Sequence, residues 1–276
     1  MATKRHRKSQ TYSNFLCFLC LFVAKYSFRM RFLTPTFVLV LAALPCAAQV
    51  IDGFTGRIYT NPSGERMPYR LFVPPGYDKS KPYPLVLWLH GAGGAGTNNR
   101  AQISQDQIPG THTWTKPQNQ AKFPTFVLVP QSPTNWISDG VESLSPEMLL
   151  VLEILDAVRV EFKIDPSRIY VAGQSDGGVG TWNVITQRPD LFAAAIPLCG
   201  GGDPSQAFRL ASMPIWAFHG ARDPIIPVAE SRKMIAAIQK AGGHPRYTEY
   251  RNLGHDIWVP AFAEPDLVGW LFAQHR

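Results

Sequence analysis

The chain has 276 residues, of which 45% are hydrophobic and 12% aromatic, with 24 prolines and 22 glycines. A chain this apolar can bury enough surface to offset its loss of conformational entropy, so the composition excludes a disordered or low-complexity protein. Lys and Arg number 27 against 20 Asp and Glu, and a net charge of +7 would by itself favour nucleic acid or an anionic membrane as the partner.

The excess positive charge lies in the first 48 residues. This segment contains no acidic residue and seven basic ones, which are Lys4, Arg5, Arg7, Lys8, Lys25, Arg29 and Arg31. Subtracting 7 from 27 leaves 20 basic residues against 20 acidic ones in residues 49–276. Because that part of the chain is neutral overall, we expect no nucleic-acid partner and no stable association with a membrane once the leader is removed.

The same segment has the features of a secretory leader. Its two apolar stretches, 15–24 and 32–43, are both shorter than the roughly 20 residues of a membrane-spanning helix. The second stretch follows Met30 and a basic residue and ends in small residues, which indicates a signal peptide cleaved after Ala48. We therefore expect Met30 to be the true start and the mature protein to be secreted or periplasmic. An uncleaved anchor and a lipid-modified Cys46 are the alternatives.

Residues 49–276 contain no linker-like stretch and no internal repeat, so we expect one catalytic domain. Seven apolar, β-rich runs predict strands, and these are Tyr69–Val73, Leu85–Leu89, Phe126–Val129, Ile169–Ala172, Ala193–Leu198, Ile215–Phe218 and Tyr247–Tyr250. Several have apolar residues at consecutive positions, which is typical of strands buried on both faces of a parallel sheet.

Helical patterns lie between the later strands. They are Ser145–Phe162, Gly177–Gln187, Val228–Lys240 and Pro260–Gln274. The first opens with a capping Ser145, a first-turn Pro146 and a first-turn Glu147, which is a typical helix start. Strands that alternate with helices predict an α/β fold with a mostly parallel central sheet.

The most specific pattern is Gly173-Gln174-Ser175-Asp176-Gly177, which directly follows a predicted strand and opens a predicted helix. This is the context of a G-x-S-x-G nucleophile elbow, in which glycines permit a tight turn and the serine hydroxyl lies exposed above the sheet edge. The helix N-terminus brings positive dipole close to a developing oxyanion. A plain glycine-rich turn is the alternative, but the strand–turn–helix setting favours Ser175 as a nucleophile.

A serine nucleophile needs a general base, and the base needs an orienting acid. In this type of site the chain order is serine, acid, histidine, each in a loop after a strand. Asp223 and His255 occupy the expected loops, and we predict that they form a catalytic triad with Ser175. The rival acids and histidines, which have weaker settings, are Asp203, Asp256, His219, His112, His244 and His275.

A second glycine-rich loop, beginning His90-Gly91-Ala92, follows the strand Leu85–Leu89. The hydrolase scheme takes one oxyanion donor from this loop and one from the residue after the nucleophile, which gives the backbone amides of Ala92 and Asp176. A phosphate-binding loop is the competing interpretation, but it needs Lys followed by Ser or Thr, which residues 97–99 lack. We expect His90 to be structural. We also expect the Asp176 side chain to turn away, since a carboxylate facing the site disfavours an oxyanion.

With these residues in place, the chain resembles the α/β-hydrolase esterases grouped with polyhydroxybutyrate depolymerases, feruloyl esterases, acetyl-xylan esterases and predicted peptidases. The resemblance runs from about Arg57 to the C-terminus and is carried by Tyr69–Tyr77, His90-Gly91, Ile164–Tyr170, the elbow and His219–Asp223. It implies the α/β-hydrolase fold and a Ser-His-Asp triad, whereas members of the group differ in substrate.

Aromatic side chains near the predicted site indicate how a small-molecule or polymeric ester would bind. We expect Trp114, Trp136 and Trp258 to bind substrate, because aromatic residues with few charges suit an acyl group, an aryl group or a sugar face. Packing of the loops is the alternative role for Trp114 and Trp136. Acyl transfer to water needs no cofactor, and no metal site is indicated, because acids and histidines lack ligand spacing and Cys199 stands alone after residue 48.

The sequence therefore predicts a secreted serine esterase that cleaves carboxylic esters through an acyl-enzyme. A serine peptidase on the same scaffold is the second hypothesis, because amides and esters use the same triad. The lack of a separate gating domain favours esters. A non-catalytic envelope-binding protein that has kept the fold is the third hypothesis, and the correctly ordered triad argues against it.

Overall fold

The computed structural model describes residues 49–137 and 143–276. The predicted start at Met30 and the predicted cleavage after Ala48 therefore concern residues outside the described ones. All described residues belong to one compact unit.

In the described residues, nine strands form one sheet. In chain order they are β1 (Val50–Ile51), β2 (Phe54–Thr60), β3 (Arg66–Phe72), β4 (Tyr83–Leu89), β5 (Phe126–Pro130), β6 (Ile164–Gln174), β7 (Ala194–Leu198), β8 (Trp216–Gly220) and β9 (Arg246–Tyr250). Their order across the sheet is β1-β2-β3-β5-β4-β6-β7-β8-β9. The neighbours from β5 to β9 are parallel, and those from β1 to β5 are antiparallel. The mostly parallel sheet is as predicted.

Seven α-helices occur in the described residues. They are α1 (Ile108–Thr115), α2 (Pro117–Lys122), α3 (Pro146–Glu161), α4 (Asp176–Gln187), α5 (Ala229–Lys240), α6 (Trp258–Phe262) and α7 (Leu267–Phe272). The patterns that predicted α3, α4 and α5 are confirmed within one residue at each end. The predicted closing helix 260–274 is wrong as a single helix, because Pro265 interrupts it between α6 and α7.

Two apolar clusters cover the two faces of the sheet, and β4 shows how they arise. Leu85 and Leu87 pack into the cluster that contains α3, α4 and α5, while Val86 and Trp88 pack into the one that contains α1, α6 and α7. All four side chains are fully buried. Since alternate residues point to opposite faces, an apolar run such as β4 can serve both clusters.

The loops that follow β4, β6, β8 and β9 lie at the carboxyl edge of the sheet. These loops carry His90, Ser175, Asp223 and His255 respectively. Because the carboxyl ends of neighbouring parallel strands meet at one edge, the topology brings four residues together that are far apart in sequence.

Candidate active site

Ser175 lies between β6 and α4 in a backbone conformation that non-glycine residues rarely adopt. Its φ is 55° and its ψ is −120°, and holding such a residue costs about 1–3 kcal/mol. A Cβ atom at Gly173 would collide with the Gly177 carbonyl, and a Cβ atom at Gly177 would collide with the Leu89 carbonyl. The two glycines therefore allow the sharp turn that presents Ser175 above the sheet.

The structure joins Ser175, His255 and Asp223 in one chain of hydrogen bonds. His255 Nε2 lies 2.8 Å from Ser175 Oγ, and His255 Nδ1 lies 2.6 Å from Asp223 Oδ2. The other carboxylate oxygen of Asp223 accepts the amide N–H groups of Ile225 at 2.8 Å and Ile226 at 3.0 Å. Because the carboxylate can only accept, His255 carries its proton on Nδ1, which leaves Nε2 free to take the serine proton.

Asp223 is held in its charged form although its side chain is fully buried. Burial raises the pKa of Asp223, but the hydrogen bonds from His255, Ile225 and Ile226 outweigh it and bring the pKa below its usual value. A buried carboxylate that stays charged can orient the imidazole ring and stabilise the imidazolium that forms when His255 accepts a proton.

His219 contacts the same carboxylate from another side. Its Nε2 lies 3.2 Å from Asp223 Oδ2 and 3.0 Å from the carbonyl oxygen of Ile226, while its Nδ1 lies 2.7 Å from Ser231 Oγ. Burial lowers the pKa of His219, which favours the neutral imidazole. His219 thus supports Asp223 and does not contact Ser175.

The other rival residues lie outside this chain of hydrogen bonds. Asp203 accepts the Ser205 amide at 2.9 Å, as the cap of a short 3₁₀ helix. His112 lies 3.4 Å from Asp52. The remaining three are Asp256, His244 and His275, for which the described residues give no hydrogen bond to the Ser175–His255–Asp223 chain.

His90 fixes the glycine-rich loop after β4. Its Nδ1 donates to the Gly91 carbonyl at 2.8 Å, and its Nε2 accepts the Ser132 amide at 3.0 Å. Burial lowers the pKa of His90 to about 4, so the ring is neutral near pH 7. The Gly91 carbonyl and the Ala92 N–H belong to one planar peptide group, so the bond from His90 also fixes the direction of the Ala92 N–H.

The amides of Ala92 and Asp176 have no acceptor among the described residues. Ala92 begins a 3₁₀ helix, Ala92–Gly94, and Asp176 is the first residue of α4. N–H groups at helix starts lack a partner within the helix, so both amides remain free to donate to a substrate oxygen.

A cavity of about 240 Å³ lies beside Ser175 and His255. The ring of Trp258 forms part of its wall and packs edge-on against the His255 ring, with 5.3 Å between the ring centres. The other lining residues are Gly91, Ala92, Gly93, Asp106, Asp176, Ile225, Ile226 and Asp256. Among the described residues, the wall thus contains three carboxylate residues and no lysine or arginine.

Two of the three tryptophans that were predicted to bind substrate do not line the cavity. Trp114 is fully buried and packs against Phe262 and Phe272 in the apolar cluster under the sheet. Trp136 is also fully buried, and its Nε1 donates to the His90 carbonyl at 2.8 Å. The expectation that Trp114 and Trp136 contact substrate is therefore wrong, because both side chains are used in packing. Of the three, only Trp258 lines the cavity.

The Asp176 side chain also departs from expectation. The described residues provide no hydrogen-bond partner for its carboxyl group, neither backbone nor an arginine, and Asp176 is among the residues that line the cavity. Burial raises the pKa of Asp176, and the positive charge that His255 can carry opposes this only in part. The hydrogen bond that we expected the Asp176 carboxyl group to form with backbone or an arginine is therefore not found among the described residues.

Sequence reasoning did not single out Ile225, Ile226 or Asp106 as site residues. The two isoleucines are an apolar pair in the loop directly after Asp223, and that position was the available signal. Asp106 lies in a short 3₁₀ helix, Gln105–Gln107, between β4 and α1, and no local pattern connects it to the site.

Within the described ranges, Cys199, Asp223 and His255 are the one group that could hold a metal ion, with ligand atoms within 4.8 Å of one another. The Asp223 and His255 atoms are already hydrogen-bonded to each other. Burial raises the pKa of the Cys199 thiol well above its usual value, which disfavours the thiolate that metal binding needs. The arrangement fits proton transfer better than metal binding.

The geometry and the comparisons with known proteins define the class. The model of a family described as phospholipase/carboxylesterase matches residues 77–264, which is more than half of the chain, and the protein belongs to that family. Its parallel sheet with helices on both faces is the α/β-hydrolase fold.

Particular relatives are similar over part of their length. A solved thermostable esterase has a TM-score of 0.78 and 40% identity, with 82% of this chain and 64% of that chain covered. An uncharacterized secreted protein of Arthroderma benhamiae is 28% identical over 69% of this chain and 23% of its own length. A probable feruloyl esterase C of Aspergillus terreus is 27% identical over 58% of this chain and 56% of its own length. The chain thus spans less than two thirds of each.

The described part of the chain contains no helix with both the length and the apolar character needed to cross a membrane.

Proposed function

We propose that the protein is a secreted serine esterase, with Ser175 as nucleophile, His255 as general base and acid, and Asp223 as the orienting carboxylate. The observation that carries this proposal is the hydrogen-bonded chain from Asp223 Oδ2 through His255 to Ser175 Oγ, with distances of 2.6 and 2.8 Å. The family membership and the relatives named as esterases support the same reaction class.

Acylation of the enzyme follows from this geometry. Ser175 Oγ attacks the ester carbonyl carbon while its proton passes to His255 Nε2. The carbonyl oxygen becomes an oxyanion that accepts hydrogen bonds from the Ala92 and Asp176 amides. The bond to the alcohol oxygen then breaks, His255 returns the proton to that oxygen, and the alcohol leaves an ester of Ser175.

Deacylation repeats the steps with water. His255 Nε2 takes a proton from the water that attacks the acyl carbon, and the same two amides hold the second oxyanion. When the bond to Ser175 Oγ breaks, the proton passes to this oxygen, and the carboxylic acid is released. Asp223 stays ionised throughout, consistent with its lowered pKa.

The cavity favours an uncharged ester with a short or aromatic acyl group. Trp258, Ile225 and Ile226 supply apolar surface, whereas Asp106, Asp176 and Asp256 place negative charge around a small volume. A carboxylate on the substrate would therefore be repelled by the three aspartates of the described wall, which raises the free energy of binding.

Two esters of equal acyl length test this substrate class. We expect 4-nitrophenyl butyrate to have a kcat/KM about tenfold or more above that of 4-nitrophenyl hemisuccinate, which differs by a terminal carboxylate. Asp176→Asn should reduce the difference in kcat/KM between the two esters, because it removes one negative charge from the wall. Equal turnover of the two esters would contradict the preference, and faster cleavage of a 4-nitroanilide than of the matched ester would favour the peptidase alternative.

The role of Ser175 is tested by replacing it with alanine and comparing the result with the same replacement at a control serine. We expect Ser175→Ala to lower kcat for 4-nitrophenyl acetate by several orders of magnitude without changing the melting temperature by more than a few degrees. Ser212→Ala, at an exposed serine outside the cavity, should keep the parent rate. Full turnover by correctly folded Ser175→Ala would overturn the proposal.

Secretion rests on the leader and on a relative named as a secreted protein. We expect the mature chain to begin at Gln49. N-terminal sequencing of the exported protein checks this, and retention of residues before Gln49 would favour the uncleaved anchor.

A further inference from the structure

The carboxylate of Asp106 is held by two glutamine side chains. Its Oδ2 accepts the Nε2–H of Gln107 at 2.9 Å and the Nε2–H of Gln174 at 3.0 Å. Both glutamines are fully buried, whereas Asp106 is exposed at the edge of the cavity. A charged acceptor makes both hydrogen bonds stronger than a neutral one would.

Each glutamine belongs to one side of the proposed oxyanion hole. Gln107 Oε1 accepts the Gly91 N–H at 3.1 Å, and Gly91 directly precedes Ala92. Gln174 lies at the end of β6 and directly precedes Ser175 and Asp176. A single oxygen atom of Asp106 thus connects the loop after β4 to the nucleophile turn after β6.

The two backbone segments that this oxygen connects are in close contact. A Cβ atom at Gly91 would lie 3.2 Å from the Gln174 carbonyl oxygen and 3.3 Å from Ser175 Cβ. A change in the separation of the two loops would therefore move the Ala92 N–H relative to Ser175, and oxyanion stabilisation depends on donors placed within a few tenths of an ångström.

The orientation of the Gln174 amide points to the same role. Its Oε1 is buried without a hydrogen-bond partner among the described residues, while its Nε2 donates to the Oδ2 and carbonyl oxygens of Asp106. A buried unpaired oxygen is unfavourable, so Gln174 keeps its contact with Asp106 although its own Oε1 then has no hydrogen bond.

We propose that Asp106 is a positioning residue that sets the spacing of the two oxyanion donors, the Ala92 and Asp176 amides, through Gln107 and Gln174. The inference rests on the proposed function of the site. Because Asp106 acts on donors that bind the oxyanion, it affects the transition state more than the ground state.

The test compares two changes at Asp106 with one at a matched carboxylate. Asp106→Ala removes the acceptor, and Asp106→Asn removes the charge but keeps one oxygen. Asp203→Ala removes an exposed carboxylate that also accepts two hydrogen bonds, from Ser205, outside the cavity. For each protein we would measure kcat and KM for 4-nitrophenyl acetate and the inhibition constant of a trifluoromethyl ketone, which forms an oxyanion adduct with a nucleophilic serine.

We expect Asp106→Ala to lower kcat about 10- to 100-fold with KM within about twofold, and to weaken ketone inhibition by a similar factor. Asp106→Asn should stay within about fivefold of the parent, and Asp203→Ala within about twofold. An unchanged kcat in Asp106→Ala, or equal losses in Asp106→Ala and Asp106→Asn, would overturn the inference. An inactive parent protein would instead contradict the proposed function.

Discussion

The two sides of the candidate site are built with different chemistry. The acid side, formed by the loops after β8 and β9, centres on the buried charge of Asp223, which accepts from His255 and two amides. The oxyanion side, formed by the loop after β4, centres on the neutral ring of His90, which holds the Gly91–Ala92 peptide group. The contacts on the acid side hold the Asp223 carboxylate in its charged form, whereas the contact on the oxyanion side holds the Ala92 N–H in one direction.

Both sides use a fully buried histidine whose pKa is lowered by burial. His219 contacts Asp223, and His90 contacts Gly91. The two rings differ in the group that they contact, and this difference predicts which property a substitution on each side changes. Changes on the acid side should affect proton transfer at His255, whereas changes on the oxyanion side should affect loop geometry and stability.

The largest expected effect comes from removing the charge on the acid side. Asp223→Asn should lower kcat for 4-nitrophenyl acetate by about 10⁴-fold, because an amide allows the wrong tautomer of His255 and no longer stabilises the imidazolium. Stopped-time assays with active-site titration would measure it. Asp203→Asn is the control and should keep the parent rate; a loss below about tenfold in Asp223→Asn would contradict the role of the carboxylate.

On the oxyanion side, the largest effect should be on stability against pH. The pKa of His90 is about 4 in the folded protein and about 6.5 when exposed, so the unfolded chain binds the proton more readily. Stability should therefore fall as pH drops from about 6.5 to about 4, by roughly 3 kcal/mol from this residue, and level off below that.

Urea unfolding at about pH 7 and about pH 4.5 checks this prediction. The loss of unfolding free energy between the two pH values should be smaller in His90→Gln than in the parent by roughly 2–3 kcal/mol. His275→Gln, at an exposed histidine, should behave like the parent. An equal loss in His90→Gln and the parent would show that His90 does not titrate in this way.

A smaller effect is expected at the second histidine of the acid side. His219→Phe should lower kcat about tenfold and move the pH dependence of kcat/KM, because Asp223 loses one partner but keeps His255 and both amides. His219→Gln can still present an N–H to Asp223 and should recover most of the activity. A drop in melting temperature without a kinetic change would indicate that His219 is only a packing residue.

The smallest effect should come from the cavity wall. Trp258→Leu should raise KM for an aromatic-acyl ester about threefold more than for an acetate ester, since the ring offers apolar surface next to His255. Trp270→Leu, at a ring that packs on Trp216 outside the cavity, is the matched control. Equal KM changes for the two esters would place Trp258 outside the acyl-binding surface.

Sequence reasoning predicted the part of the site that has local patterns. Ser175, Asp223 and His255 each lie in the loop after a strand that is visible as a run in the sequence, and the parallel order of those strands brings the three together. Hydrogen bonds join the three side chains in the structure, and their catalytic roles stay a proposal.

The other parts of the site and fold depend on tertiary contacts that no local sequence pattern predicts. Trp114 and Trp136 are near the predicted site in sequence, but burial against Phe262 and His90 decides their roles. The strand β2 and helix α1 were not predicted, because β2 is only partly buried and α1 contains a proline and a glycine. Sequence patterns thus predict the candidate catalytic residues better than they predict the residues that line the cavity.

The most direct test of the central claim is the site of covalent labelling by a fluorophosphonate. We expect a one-to-one adduct on the tryptic peptide that contains Ser175, formed rapidly by the parent protein and at least about 100-fold more slowly by His255→Ala, because His255 is the base that activates the serine. No adduct, or an adduct on a different serine, would contradict the account.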